Sequence, residues 1–174
     1  LGFAFGKIHN LDSAIYFIST ARNDKLTRRS AEMNFFALTA SELIPIRTDS
    51  ILNSFDKSSP GVVSNAIAMA TLFGQDLDVD VSPLAHKNLD LYTATLLNNY
   101  IVRNAKSLDT IFTSRAYAIA NDSVNYSYSE ALKASLAYAY YHQGNLTRAQ
   151  QILAELVFLS RGYQGKYNYI MGLW

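Results

Sequence analysis

Two stretches of this chain, 135 residues apart, carry the same pattern. Asn10-Leu11-x-x-Ala14-x-x-x-Ile18 reappears as Asn145-Leu146-x-x-Ala149-x-x-x-Leu153, and an aromatic residue stands nine positions before each alanine, Phe5 and Tyr140. Asparagine before an apolar residue is a helix-start signal, because its side-chain oxygen accepts from a backbone N–H that the first turn leaves unpaired. Alanine followed four residues later by isoleucine or leucine puts a small and a large side chain on one helix face. A chain that repeats a helix start together with this pair is built from similar helical units.

The rest of the sequence reads the same way. Ala31, Phe35 and Leu38 share a stripe, as do Leu132, Leu136 and Tyr140, and then Ile152, Leu153, Leu156 and Val157. This spacing of three and four belongs to amphipathic helices. Ser59-Pro60 and Ser82-Pro83 add starts in which serine caps and proline opens the first turn. Strand-like alternation occurs only at Leu77-Asp78-Val79-Asp80-Val81. About nine helices are expected: 11–22, 28–43, 46–56, 60–73, a short one near 83–87, 89–103, 107–121, 128–143 and 146–160, with a further one after 166. The fold class is therefore all-α.

The phase of the small residues carries a resemblance. Leu1-Gly2-x-x-Phe5 and Leu136-Ala137-x-x-Tyr140 match best, with weaker copies at Phe36-Ala37-x-x-Ala40, Met69-Ala70-x-x-Phe73 and Leu96-Leu97-x-x-Tyr100, and a last start at Met171-Gly172. From Gly2 the steps to Ala37, Ala70, Leu97, Ala137 and Gly172 are 35, 33, 27, 40 and 35 residues, five periods of about 34 with a slip around 75–88. That period and pattern resemble the tetratricopeptide repeat (TPR), and the Asn-, Tyr- and Ser-rich style is similar to bacterial members. The resemblance implies an α/α superhelix of about five antiparallel helix pairs. Residues 1–174 would form one TPR-like domain, irregular at 74–88 and cut from a longer protein. Small residues such as Ala137 and Ala149 would let paired helices cross closely, while Leu136, Tyr140 and Leu153 fill the space between pairs. Arg161 and Leu26 stand where the repeat closes with proline, and Lys133 stands in place of its tryptophan.

Composition removes several chemistries. There is no cysteine, so disulfides, thiolate metal sites and cysteine nucleophiles are excluded. Fifteen Lys and Arg against fourteen Asp and Glu leave a net charge of +1, too little for a nucleic-acid surface. The basic group Arg22, Lys25, Arg28 and Arg29 is diluted by Asp24 and Glu32. No apolar run approaches the roughly 18 residues of a membrane-spanning helix. Phosphate-loop, dinucleotide, nucleophile-elbow and zinc-helix motifs are absent. Asp76-x-Asp78-x-Asp80 spaces oxygens as a calcium loop does, but Val81 and Lys87 replace the glycine and glutamate such a loop needs. His9, His86 and His142 are too scattered for a local metal site. No catalytic residue, metal or cofactor is expected.

What the resemblance implies for function is a non-enzymatic scaffold whose inner helix faces hold a segment of a partner protein. By repeat position that groove would show Asn34, Ser41 and Glu42, then Thr71 and Gln75, then Asn98, then Tyr138, Tyr141 and His142. A lysine-and-asparagine carboxylate clamp is absent. Alternatively, the twelve tyrosines and thirteen asparagines would serve a glycan- or small-ligand-binding helical lipoprotein of a bacterial envelope. The C-terminal tyrosines have a third use, packing against a further repeat or another copy of the chain. Location in the bacterial cytoplasm or on the periplasmic side of the envelope stays open.

Overall fold

The computed structural model describes residues 10–42, 44, 59–75, 89–122, 126–157, 159 and 164–174. Among them the chain forms eight helices and no strand: α1 (Leu11–Ala21), α2 (Arg28–Ser41), α3 (Pro60–Leu72), α4 (Leu89–Arg103), α5 (Thr110–Ala120), α6 (Tyr126–His142), α7 (Leu146–Glu155) and α8 (Gln164–Leu173). The expected all-α class is what the structure shows. The expected helices at 46–56 and 83–87, the alternating run 77–81, the Asp76-Asp78-Asp80 group, His9, His86, Gly2 and Phe5 lie outside the described residues.

Local chemistry sets most boundaries. The Asn10 side chain accepts from the Ser13 N–H at 3.2 Å, and the Asn145 side chain accepts from the Arg148 N–H at 3.2 Å. Their backbones nearly coincide, with φ/ψ of −90°/79° and −87°/69°. Ala14, Ile18, Ala149 and Leu153 are all buried, so the two echoing stretches share both cap geometry and buried face. Ser59 departs from expectation. Pro60 does open α3, but the serine hydroxyl makes no cap bond and is buried without a partner among the described residues. α5 starts at 110 rather than 107, because the Asp109 carboxylate accepts from the Phe112 N–H at 2.7 Å and holds the start there.

α7 stops five residues short of the expected 160. Leu156 turns out of the helix at ψ 125°, and both Leu156 and Leu159 are buried by the turn.

α6 lies at the centre, packed by α3, α4, α5 and α7. Its sequence explains this: Ala131, Leu132, Ala134, Leu136, Ala137, Ala139 and Tyr140 are buried around nearly the whole circumference, as expected for a helix surrounded by others. The alanines admit close neighbours, and Ala137 on α6 and Ala149 on α7 are both fully buried in the same core. α3 is also apolar all round. Val62, Ala66, Met69 and Phe73 face Phe36 of α2, whereas Val63, Ile67 and Leu72 join the larger core around α6. Direct α3–α6 packing differs from an array in which each hairpin touches only the next. It spans the part of the sequence where the helical phase slips.

Two weaker copies of the pattern take other orientations. On α4, Leu96 and Tyr100 are exposed, while Thr95, Asn98 and Ile101 are buried. On α8, Gly172 is exposed and a Cβ there would meet nothing within 4 Å among the described residues, so none of the described helices crosses closely at that position. No helix among the described residues is long and apolar enough to cross a membrane.

Candidate functional site

α3 and α6 end in the same way. Gly74 and Gly144 take φ of 61° and 79°, the left-handed conformation that glycine adopts without strain. Gly74 and Gln75 donate to the carbonyls of Thr71 and Ala70, at 3.1 and 2.8 Å. Gly144 and Asn145 donate to those of Tyr141 and Tyr140, each at 2.9 Å. This double bond pattern is the glycine-capped helix end.

Trp174, immediately after α8, reaches both helices. Its indole Nε1 donates to the Thr71 carbonyl at 2.8 Å, adding a second donor to an oxygen that already accepts from Gly74. Carbonyls in the last turn of a helix are open to such donors because the helix itself leaves them unpaired. The indole ring stands edge-on to Tyr138 at 5.4 Å and to Tyr141 at 5.6 Å. His142 packs edge-on to the same tyrosines, at 4.3 and 5.3 Å. Tyr138, Tyr141, His142 and Trp174 are half-buried, so this is a shelf with open edges rather than a closed core. The backbone of Leu173 comes so near Gly74 that a Cβ there would lie 3.0 Å from the Leu173 oxygen.

The shelf carries little charge. Burial, and secondarily repulsion from Lys106, hold the His142 imidazole below its ordinary pKa, and its Nε2 is buried without a hydrogen-bond partner among the described residues. Lys106 belongs to the α4–α5 link, which Gln143 ties to the end of α6 through bonds to the Ala105 and Leu108 carbonyls, both 3.0 Å.

Of the nine residues expected to line a groove, Tyr138, Tyr141 and His142 lie together here, whereas Thr71 contributes only its backbone carbonyl, its buried hydroxyl donating to the Ile67 carbonyl at 3.0 Å. Gln75 follows the glycine cap of α3 and is half-buried. Asn98 is buried on α4, its side-chain oxygen taken by the Ser135 hydroxyl. Asn34 and Glu42 are half-buried on and just after α2, and the side chain of Ser41 lies outside the described residues. Trp174, which nothing in the repeat pattern singles out, is the residue that organises the shelf. The signal for it was a lone tryptophan following an apolar helix whose partner helices were unknown.

Elsewhere polar groups serve the fold. Glu32 is fully buried and meets the Arg28 guanidinium at 3.0 Å and that of Arg22 at 3.8 Å, which takes up half of the basic group seen in the sequence. The Tyr117 hydroxyl donates to Glu155 at 2.6 Å, Lys133 lies 3.7 Å from the same carboxylate, and Arg148 stacks over the Tyr117 ring. Asn65, Asn104 and Asn121 donate to backbone carbonyls, and Asn10 and Asn145 cap helices, so many asparagines are spent within the chain. Among the described residues no three His, Asp or Glu side chains gather as a metal site would require. Comparison with protein-family models, with curated proteins and with solved structures finds no match to this chain.

Proposed function

We propose that this chain is a TPR-like interaction scaffold, acting without catalysis, that holds a segment of a partner protein against the shelf formed by Thr71, Tyr138, Tyr141 and His142. The observation that carries this reading is the way Trp174 is held. Two tyrosines offer apolar area with little conformational entropy to lose, and a helix-end carbonyl supplies one directional acceptor, the combination by which protein segments are commonly gripped. The superhelical arrangement is part of the proposal. It is supported by the matched caps and buried pairs at Asn10 and Asn145 and by the shared glycine ends of α3 and α6.

Selection of a random peptide library on the immobilised chain tests it. Peptides enriched on the wild-type chain should lose binding at least tenfold when Tyr138 and Tyr141 are both changed to alanine, with helicity by circular dichroism unchanged. Enriched peptides that bind the double variant equally well would place binding elsewhere and overturn the assignment.

A further inference from the structure

The aromatic shelf already contains a side chain, and its fit specifies what else it would take. Each feature matches an indole. The Thr71 carbonyl receives an N–H at 2.8 Å from a ring whose edges and faces are set by Tyr138 at 79° and Tyr141 at 65°. A phenylalanine would offer the rings no N–H for that carbonyl, and a leucine would offer neither ring nor donor. Gly74 permits the approach, because the oxygen of Leu173, which leads into Trp174, lies only 3.0 Å from where a Cβ would stand. The residue is held at its own end of the helix, since the neighbours of Trp174 on α8, Gly172 and Leu173, are exposed.

We propose that Trp174 is the resident occupant of an indole-receiving site, and that the partner segment presents a tryptophan of its own that takes this place. The inference rests on the scaffold reading and adds to it the identity of the anchoring side chain and a gate. A tethered occupant competes at an effective concentration that is commonly millimolar, so a partner with a single weak contact is refused. A partner whose tryptophan is reinforced by flanking contacts displaces Trp174 and frees the end of α8.

The test uses N-acetyl-L-tryptophanamide as probe and N-acetyl-L-leucinamide as control, followed by NMR of the tyrosine rings. The Trp174→Ala chain should bind the tryptophan probe with a dissociation constant of about 1 mM, the order expected for a fragment of this size. The shifts should map to Tyr138 and Tyr141, the wild-type chain should bind at least fivefold more weakly, and the leucine control should not bind. In a second measurement on the intact chain, 5-fluorotryptophan incorporated at Trp174 should give a fluorine signal that moves toward its solvent-exposed position as unlabelled probe is added. This arm reads displacement even if Trp174→Ala fails to fold. No movement of the fluorine signal at saturating probe, or equal response to the leucine control, overturns the proposal. If library peptides bind through Tyr138 and Tyr141 but carry no tryptophan, the scaffold reading stands and the indole gate falls.

Discussion

The backbone N–H of Val157 donates to the buried carboxylate of Glu130 at 2.9 Å, joining the chain just beyond α7 to the first half of α6. Burial pushes the Glu130 carboxyl above its ordinary range, and the bond from Val157 and the charge of Lys133 oppose this only in part. A carboxyl whose folded pKa is raised supports the fold most fully below its unfolded value, near 4.3, and that support is lost as pH rises through the folded value. Glu130→Gln keeps an acceptor for Val157 and removes the buried charge. Its melting temperature should exceed that of wild type at pH 7, and the difference should close toward pH 4 in parallel thermal melts.

The imidazole of His142 works in the opposite direction. Its folded pKa lies below the unfolded value near 6.5, so the unfolded chain binds the extra proton first as pH falls. The stability it contributes is present above about pH 6.5 and is lost on acidification. His142→Phe should flatten the decline in melting temperature between pH 7 and pH 5, relative to wild type measured in the same buffers.

Three glycines separate strain from contact. Gly144→Ala meets nothing within 4 Å among the described residues and should cost only the left-handed backbone, about 1–2 kcal/mol. Gly74→Ala carries the same backbone cost and also crowds the Leu173 carbonyl at 3.0 Å, so it should destabilise further and loosen α8. Gly172→Ala, exposed and uncrowded within a helix, should stabilise by about 0.5 kcal/mol. Urea unfolding of the three variants checks the order.

Asn10→Ala and Asn145→Ala each remove one side-chain cap with the same geometry. Each should lower stability by about 1 kcal/mol in urea melts, and the double variant should show a nearly additive loss because the sites are far apart in sequence and share no hydrogen bond.

Features decided by neighbours in sequence were the legible ones. Asn10 and Asn145 announce their helices because a cap is satisfied within one turn, and Ala14, Ala137 and Ala149 are buried as small residues at packing positions should be. Choices made by distant partners were not legible. Leu156 continues the apolar period of α7, yet it leaves the helix in a turn whose next residue bonds to Glu130 on another element. Leu96 and Tyr100 satisfy the repeat pattern, yet α4 turns Asn98 inward to meet Ser135 instead. Tyr138, Tyr141 and His142 were marked out by repeat position, and their ring contacts follow from Tyr141 and His142 standing three and four residues beyond Tyr138 on one face of α6. Thr71 joins them through its carbonyl, a group that carries no side-chain signature. Trp174 is brought to them only by the packing of α8, across 103 residues of sequence from Thr71.

The docking of Trp174 can be read directly, because it is the only tryptophan in the chain. Acrylamide quenching of its fluorescence, in the wild-type chain and in Tyr138→Ala/Tyr141→Ala, tests the shelf itself. The shelf predicts a quenching constant in the folded wild type at least threefold below that of the urea-unfolded chain, rising toward the unfolded value in the double variant while helicity is retained. Equal quenching of Trp174 in the folded wild type and the unfolded chain would contradict the account.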